Sequence, residues 1–325
     1  GYEKTNDILQ KFNQNSIVNN FIWENIKCTI IKTSHWDRRK LTLNEQRLFF
    51  QETIALLTKN KIDLIISWGN LKLEESIFKE ARKLGIKICF YLVNPNYFGE
   101  QFYLKDNADF SITDSYSTKK LYKNFIKNRI VVLPKCLEEN LNRDKTKKNS
   151  KNFLIVNPSI NKGIEPLLLL SRKLELSIPE VNIYCIDGRD QFYPDLKYLG
   201  YDKSDLPHNI KIFPPCNDIN SIYRNVKIVL LLSLWHESGS RVIKESYSNG
   251  TPVICFKTGG NSELIGENKK DIFDIPDLYK DKNNRLRVKS WDSQKMFERI
   301  LYLNKNESIY YKYAGKILDS NTFEK

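Results

Sequence analysis

Short apolar runs of strand length recur throughout this chain, and longer stretches with helical spacing lie between them. In the first half the runs are Ile26 to Ile31, Ile62 to Ser67, Ile86 to Val93, Phe110 to Thr113 and Ile130 to Leu133. Helical stretches separate them at Leu43 to Leu57, Glu74 to Leu84 and Ser117 to Phe125. The second half repeats the pattern with Phe153 to Val156, Val181 to Ile186, Ile210 to Phe213, Lys227 to Leu232 and Val253 to Phe256. Runs of Val, Ile and Leu without polar alternation are those of strands buried on both faces, which requires helices above and below a parallel sheet. The expected class is therefore α/β with parallel layers.

A chain of 325 residues exceeds what one core usually serves, and 41% hydrophobic residues suffice for two cores. The polar stretch Glu138 to Lys151, with Asn140, Asn142, Arg143, Asp144, Lys145, Lys147 and Lys148, reads as a linker between them. The expected division is 1–145 and 146–290, followed by closing helices over 291–325 that carry Met296, Phe297, Ile300, Leu301, Ile309, Tyr310, Tyr313 and Ile317.

The most informative stretch is Ser233 to Glu245. An apolar strand, Lys227 to Leu234, ends in Trp235-His236-Glu237-Ser238-Gly239-Ser240, and Arg241 to Ser248 then offers Val242, Ile243 and Tyr247 to a helix face. With Ser240 as the cap, Glu237 stands in the loop before the helix and Glu245 about two turns along. Strand, loop and helix in an open parallel sheet form a ligand edge, because unpaired N–H groups and the helix dipole face the crevice. Two carboxylates there suit a ligand that carries hydroxyls beside a phosphate. Taken alone, paired glutamates at this separation are ordinary features of a charged helix.

The surrounding frame is more specific. The helix is followed by Asn249-Gly250-Thr251-Pro252-Val253-Ile254-Cys255-Phe256 and then Thr258-Gly259-Gly260-Asn261-Ser262-Glu263-Leu264-Ile265. This segment resembles the retaining nucleotide-sugar glycosyltransferases of family 4 (glycosyl transferases group 1), whose hallmark is a Glu, seven residues and a second Glu. The resemblance implies the GT-B fold, in which two Rossmann-like domains with parallel sheets face a cleft and the last helix crosses back to the first domain. The first domain would then serve the acceptor and the second the nucleotide sugar.

The resemblance also implies roles. Phe153 to Val156 leads into Asn157-Pro158-Ser159-Ile160-Asn161-Lys162-Gly163, so Lys162 and Gly163 look like the Lys-Gly that binds the donor pyrophosphate. A diphosphate gains charge as the sugar leaves, and a fixed ammonium near a helix N-terminus stabilises it. Glu237 would contact the transferred sugar, Glu245 would accept from the ribose hydroxyls, and the N–H groups of Gly239, Ser240 and Arg241 would receive phosphate oxygens. Pro215 and Cys216 would line the nucleobase, with Asp187-Gly188-Arg189-Asp190 near it, though both stretches also suit ordinary turns. His236 reads more simply as a loop histidine packed beside Trp235.

Several features depart from the family pattern. The arginine that relatives often place a few residues before the lysine is replaced by Asn157-Pro158, so the charge is missing or comes from elsewhere, with Arg241 and Lys244 nearby in sequence. Asn94 stands where many relatives carry a histidine; it can donate a hydrogen bond but cannot act as a base. His35, beside Trp36 and Asp37, is an alternative that reads more readily as structural, and Trp68-Gly69-Asn70 ends another strand. The chain opens on Gly1-Tyr2-Glu3-Lys4 and a polar helix-like stretch, and no Gly-Gly pair precedes Gly259. A leading strand and glycine-rich loop lost from this chain, a segment of a longer protein, and a reduced first domain all account for that.

Charge and cysteines limit the partners. The formal net charge of +13 is uneven, with 26 basic against 17 acidic residues in 1–150 and 26 against 22 in 151–325. That balance favours anionic partners such as a membrane surface at the inner face. Lys119, Lys120, Lys123 and Lys127 lie at helical spacing and suit a solvated face, and without a nucleic-acid motif no nucleic-acid partner is expected. Cys28, Cys89, Cys136, Cys185, Cys216 and Cys255 lack metal or redox spacing and read as small buried hydrophobes in a reducing compartment. No apolar run of membrane-spanning length and no signal-peptide pattern appear, so a cytoplasmic protein is expected.

The resulting expectation is a glycosyltransferase that moves a sugar from a UDP, GDP or ADP donor to a hydroxyl of a carbohydrate or lipid-linked acceptor with retention, in polysaccharide or glycolipid assembly. No metal or other cofactor is expected, because Lys162 and the helix terminus take the charge a cation would neutralise. The alternatives are a nucleotide-sugar-binding protein impaired in turnover and another GT-B enzyme, an inverting transferase or an epimerase.

Overall fold

The computed structural model describes residues 15–23, 25–35, 37–69, 71–93, 107–135, 150–216, 218–266 and 269–306. The chain forms two compact units, one of residues 1–113 with 118–133, the other of residues 114–117 with 134–325.

In the first unit, β1 (Val18–Trp23) and β2 (Ile26–Ile31) form an antiparallel hairpin around Asn25, whose φ is 65°. Next come α1 (Leu43–Lys59), β3 (Leu64–Ser67), α2 (Lys72–Lys83) and β4 (Lys87–Leu92). They are followed by β5 (Phe110–Thr113), α3 (Tyr116–Tyr122), which begins in the second unit, and β6 (Arg129–Val132). The four strands β3-β4-β5-β6 pair in parallel in chain order, as expected of βαβ units. Their core joins Ile88, Phe90 and Leu92 of β4 to Ile77, Phe78 and Ala81 of α2. The run Ile26 to Ile31, read above as a member of the parallel layers, instead pairs antiparallel with Val18–Trp23 in a separate two-stranded sheet. The physical reason is proximity: a tight turn brings the two strands together before any crossover helix can intervene.

The second unit is doubly wound. Its elements are β7 (Phe153–Val156), α4 (Ile164–Ser177), β8 (Ile183–Ile186), α5 (Phe192–Tyr198), β9 (Ile210–Phe213) and α6 (Ile219–Arg224). After these follow β10 (Ile228–Leu231), α7 (Arg241–Ser248), β11 (Val253–Phe256), α8 (Asn261–Ile265) and β12 (Ile272–Phe273). A hairpin of β13 (Asp277–Lys280) and β14 (Leu286–Ser290) precedes α9 (Gln294–Lys305). The six-stranded parallel sheet runs β12-β11-β10-β7-β8-β9, so the strand order reverses between β7 and β10.

Alternation along each strand decides which helices cover which face. Phe153, Ile155, Ile228, Leu230, Ile254 and Phe256 point into a core with α4 and α9, whereas Leu154, Val229, Leu231, Val253 and Cys255 meet α6, α7 and α8. Both faces are dry, which is why the strands carry so few polar residues. Among the described residues no helix is long and apolar enough to cross a membrane.

Candidate active site

The reversal of strand order leaves the loops after β7 and β10 diverging, and open α/β sheets bind ligands at such a point. Lys162 and Glu237 occupy these two loops. Their side chains meet, with Lys162 Nζ donating to Glu237 Oε1 at 2.9 Å.

The lysine loop is held close to β10 by Gly163. A Cβ at that position would lie 2.1 Å from the Leu232 carbonyl oxygen, and its φ is 89°, so glycine alone fits. The Gly163 N–H is used by the Ile160 carbonyl, so this residue contributes close approach. Ile160 N donates to the buried Asp195 of α5 at 2.9 Å, and Leu234 N donates to the Asn161 carbonyl at 2.9 Å. Asn157 adopts a φ of 51° and accepts from Gly188 N, so where relatives often carry an arginine this chain uses the side chain to join two loops.

Glu237 is fixed by three donors on one oxygen. Ser233 Oγ at 2.6 Å, Trp235 Nε1 at 2.9 Å and Lys162 Nζ at 2.9 Å all donate to Oε1. Oε2 takes no hydrogen bond from the described residues. Burial opposes the charge of this carboxyl, but Lys162 and the hydrogen bonds from Ser233 and Trp235 outweigh it and hold the group below the usual carboxylate range. The site therefore presents an ionised carboxylate with one oxygen locked and the other available to hydroxyls. Ser233 and Trp235 were not singled out in the sequence; a serine at the end of a buried apolar strand is the one signal that pointed there.

Ser240 occupies the cap position of α7, yet its side chain makes no capping hydrogen bond. The N–H groups of Gly239, Ser240 and Arg241 donate to none of the described residues. An eight-residue helix thus begins with open donors directly after the loop that carries Glu237, an arrangement suited to anionic oxygens.

Glu245 lies on the second turn of α7. It accepts from Tyr223 Oη at 3.1 Å and pairs with Arg241 Nε at 3.3 Å. Burial, then the nearby Glu245 charge and hydrogen bond, push the Tyr223 phenol well above its ordinary range and keep it a donor. Pro215 and Cys216 follow the end of β9, where Cys216 is half-buried. Tyr223 also escaped the sequence reading, since a helical tyrosine looks like core. Asp187 accepts from the N–H groups of Arg189, Gln191 and Phe192 and so stabilises the start of α5.

Of the remaining candidates, His35 and Trp68 belong to the first unit. His35 Nδ1 accepts from Asp37 N at 2.8 Å, a local turn contact in the first unit. Trp68 follows β3, with the Arg38 guanidinium 5.0 Å above its ring. Burial lowers the His236 pKa and keeps the imidazole neutral. Asn94, Trp36, Asn70, Cys136, the linker over 138–149 and the segment with Ile309, Tyr310, Tyr313 and Ile317 lie outside the described residues.

A doubly wound parallel sheet with this strand order, following a first unit with its own parallel sheet, has the α/β architecture of the GT-B class. The family described as glycosyl transferases group 1 matches residues 138–316, over half of the chain, and the chain belongs to that family. No curated protein matches by sequence. Among solved structures the fold is similar to sucrose-phosphate synthase of Thermosynechococcus elongatus (16% identity, 94% of this chain and 80% of that one, TM-score 0.67). It is also similar to Anabaena HepE in complex with UDP and glucose (16% identity, 84% and 75%, TM-score 0.61). A chain of the GtfA/B complex is matched at 15% identity over 94% of this chain and 62% of its own length, with a TM-score of 0.61. The present chain thus spans less than two thirds of that relative, and at such identities the likeness is one of fold.

Proposed function

We propose that the protein transfers a sugar from a nucleoside diphosphate donor to a hydroxyl acceptor with retention of anomeric configuration, in polysaccharide or glycolipid assembly. The observation that carries the reading is the Lys162–Glu237 contact at the β7/β10 switch point, beside the open start of α7. In this reading the diphosphate draws on Lys162 and on the N–H groups of Gly239, Ser240 and Arg241. The Glu237 oxygen left unbonded takes sugar hydroxyls, and Glu245, aimed by Tyr223, takes the ribose hydroxyls.

The bond from the anomeric carbon to the diphosphate oxygen breaks, and a bond to the acceptor oxygen forms. The acceptor proton leaves to the diphosphate or to water. Lys162 and the helix start stabilise the charge that develops on the leaving group. HepE was solved with UDP-glucose, which favours a uridine donor without deciding among UDP, GDP and ADP. Residues 146–290 would hold the donor, residues 1–145 the acceptor, and 291–325 would close the chain. The basic excess in residues 1–150 supports attraction of a cytoplasmic protein to anionic headgroups at the inner membrane face, and co-sedimentation with anionic and neutral vesicles tests that attraction.

A thermal-shift screen with UDP, GDP, ADP and their sugars, followed by NMR of the product anomer, tests the reading. Stabilisation by one nucleotide series and an α-configured product from an α-configured donor are expected. An inverted product, or an epimerised donor without acceptor, would replace the retaining transferase with another GT-B enzyme. Donor binding without transfer or hydrolysis would make the chain a nucleotide-sugar-binding protein.

A further inference from the structure

The loop that carries Glu237 is held from its other side by residues far away in sequence. Asp114 to Ser117 belong to the second unit together with everything from Pro134 onward. Asp114 is 3% exposed, and its carboxylate accepts on one oxygen from Ser238 Oγ at 2.7 Å and from Lys135 Nζ at 2.9 Å. Lys135 Nζ also donates to the Gly239 carbonyl at 3.0 Å, and Lys244 of α7 donates to the Lys135 carbonyl at 2.7 Å. A Cβ on Gly239 would sit 2.8 Å from Asp114 Cβ, and one on Gly260 would sit 2.6 Å from Ser115 Cβ. Gly260 N donates to the Glu237 carbonyl at 2.7 Å, and the Glu263 carboxylate accepts from Tyr116 N and Ser117 N. The peptide between Glu237 and Ser240 is therefore gripped on both sides.

We propose that Asp114 and Lys135 are positioning residues of the donor site, holding the Ser238–Gly239 peptide so that the Glu237 carboxylate stays aimed at the sugar. The inference rests on the reading given under Proposed function. The geometry argues for it because Asp114 and Lys135 touch the residues directly after Glu237, whereas Glu245 is held separately by Tyr223 and Arg241. A buried charge pair of this kind fixes one arrangement of a loop, since each alternative strands a charge. Loosening it should degrade what Glu237 does and leave the nucleotide contacts on the body of α7 in place.

The test measures affinity for the nucleotide sugar (UDP-, GDP- or ADP-glucose, whichever the wild type binds) and for the matching free diphosphate. Asp114→Asn and the charge-free double variant Asp114→Asn/Lys135→Met are compared with wild type, the double variant guarding against a stranded lysine that unfolds the unit. Both are expected to lose about tenfold in nucleotide-sugar affinity and about threefold for the free diphosphate, which loses the aim of the Gly239 N–H but keeps Lys162, Ser240 and Arg241, and Lys135→Arg to retain most of the wild-type value. In a Glu237→Gln background, Asp114→Asn should have little further effect. Equal losses for sugar nucleotide and diphosphate, unchanged affinity in a folded double variant, or a full additional loss in the Glu237→Gln background would each overturn the assignment. Failure of the wild type to bind any of these nucleotides would instead remove the functional reading on which it rests.

Discussion

Replacing Lys162 with methionine should destabilise the fold in a way that depends on pH. At 2.9 Å the Lys162–Glu237 attraction is about 6 kcal/mol at an effective dielectric near 20, before desolvation is subtracted. The side chains are 22% and 11% exposed, so much of the pair is out of water. Truncating one partner of such a pair strands the other charge at about 3 to 5 kcal/mol, and the Ser233 and Trp235 hydrogen bonds that remain bring the expectation to about 3 kcal/mol near neutral pH.

The sign with pH follows from the Glu237 carboxyl. In the wild type its pKa is lowered, so its contribution is present above the usual carboxylate range and is lost as pH falls through the lowered value. In Lys162→Met the burial that opposes the charge remains without its strongest counterweight, the pKa rises, and protonation relieves the penalty. The stability gap should therefore narrow between about pH 7 and about pH 4. Urea or thermal melts at both pH values measure it, with a gap of about 6 to 10 °C expected at neutral pH. The double variant Lys162→Met/Glu237→Gln should recover most of the lost stability without recovering donor binding. A gap independent of pH, or a double variant no more stable than the single, would refute the reasoning.

Three further outcomes follow from the same geometry. Glu245→Ala should weaken donor binding about tenfold to a hundredfold, the worth of a charge-assisted hydrogen bond, and Tyr223→Phe by less; isothermal titration measures both. Gly163→Ala should cost about 3 kcal/mol or more, because a methyl there meets the Leu232 carbonyl and the backbone is left-handed, and a chemical melt reports it. Chelation by EDTA should leave turnover unchanged if Lys162 and the start of α7 carry the leaving-group charge, and restoration of a lost rate by magnesium or manganese would assign that task to a cation.

The parts of the fold that the sequence revealed are those whose burial is two-sided. Phe153–Val156 and Val253–Phe256 are apolar at every position because helices cover both faces, and their limits match the apolar runs residue for residue. Ile26–Ile31 shows the limit of that signal: the run marks a strand, but whether it pairs parallel or antiparallel depends on Val18–Trp23, whose asparagines hid it. The β13/β14 hairpin escaped for the same reason, as Asp277 and Lys280 bound a strand with little apolar content. The loop positions of Lys162 and Glu237 were legible from strand, turn and helix punctuation. Their direct contact was not, since it depends on β7 and β10 being neighbours, a choice made by chain crossover. Trp235, Tyr223 and Asp114 carry no local mark, and Ser233 only its place at the end of an apolar strand, because each acts through a partner brought close only by folding.

Equilibrium binding of UDP, GDP and ADP to the wild type, to Lys162→Ala and to Glu245→Ala tests the central claim most directly. One nucleoside diphosphate should saturate the wild type in the micromolar to millimolar range, with each variant weaker by about tenfold or more. Wild-type affinity in both variants, or no binding of any of the three nucleotides, would contradict the account.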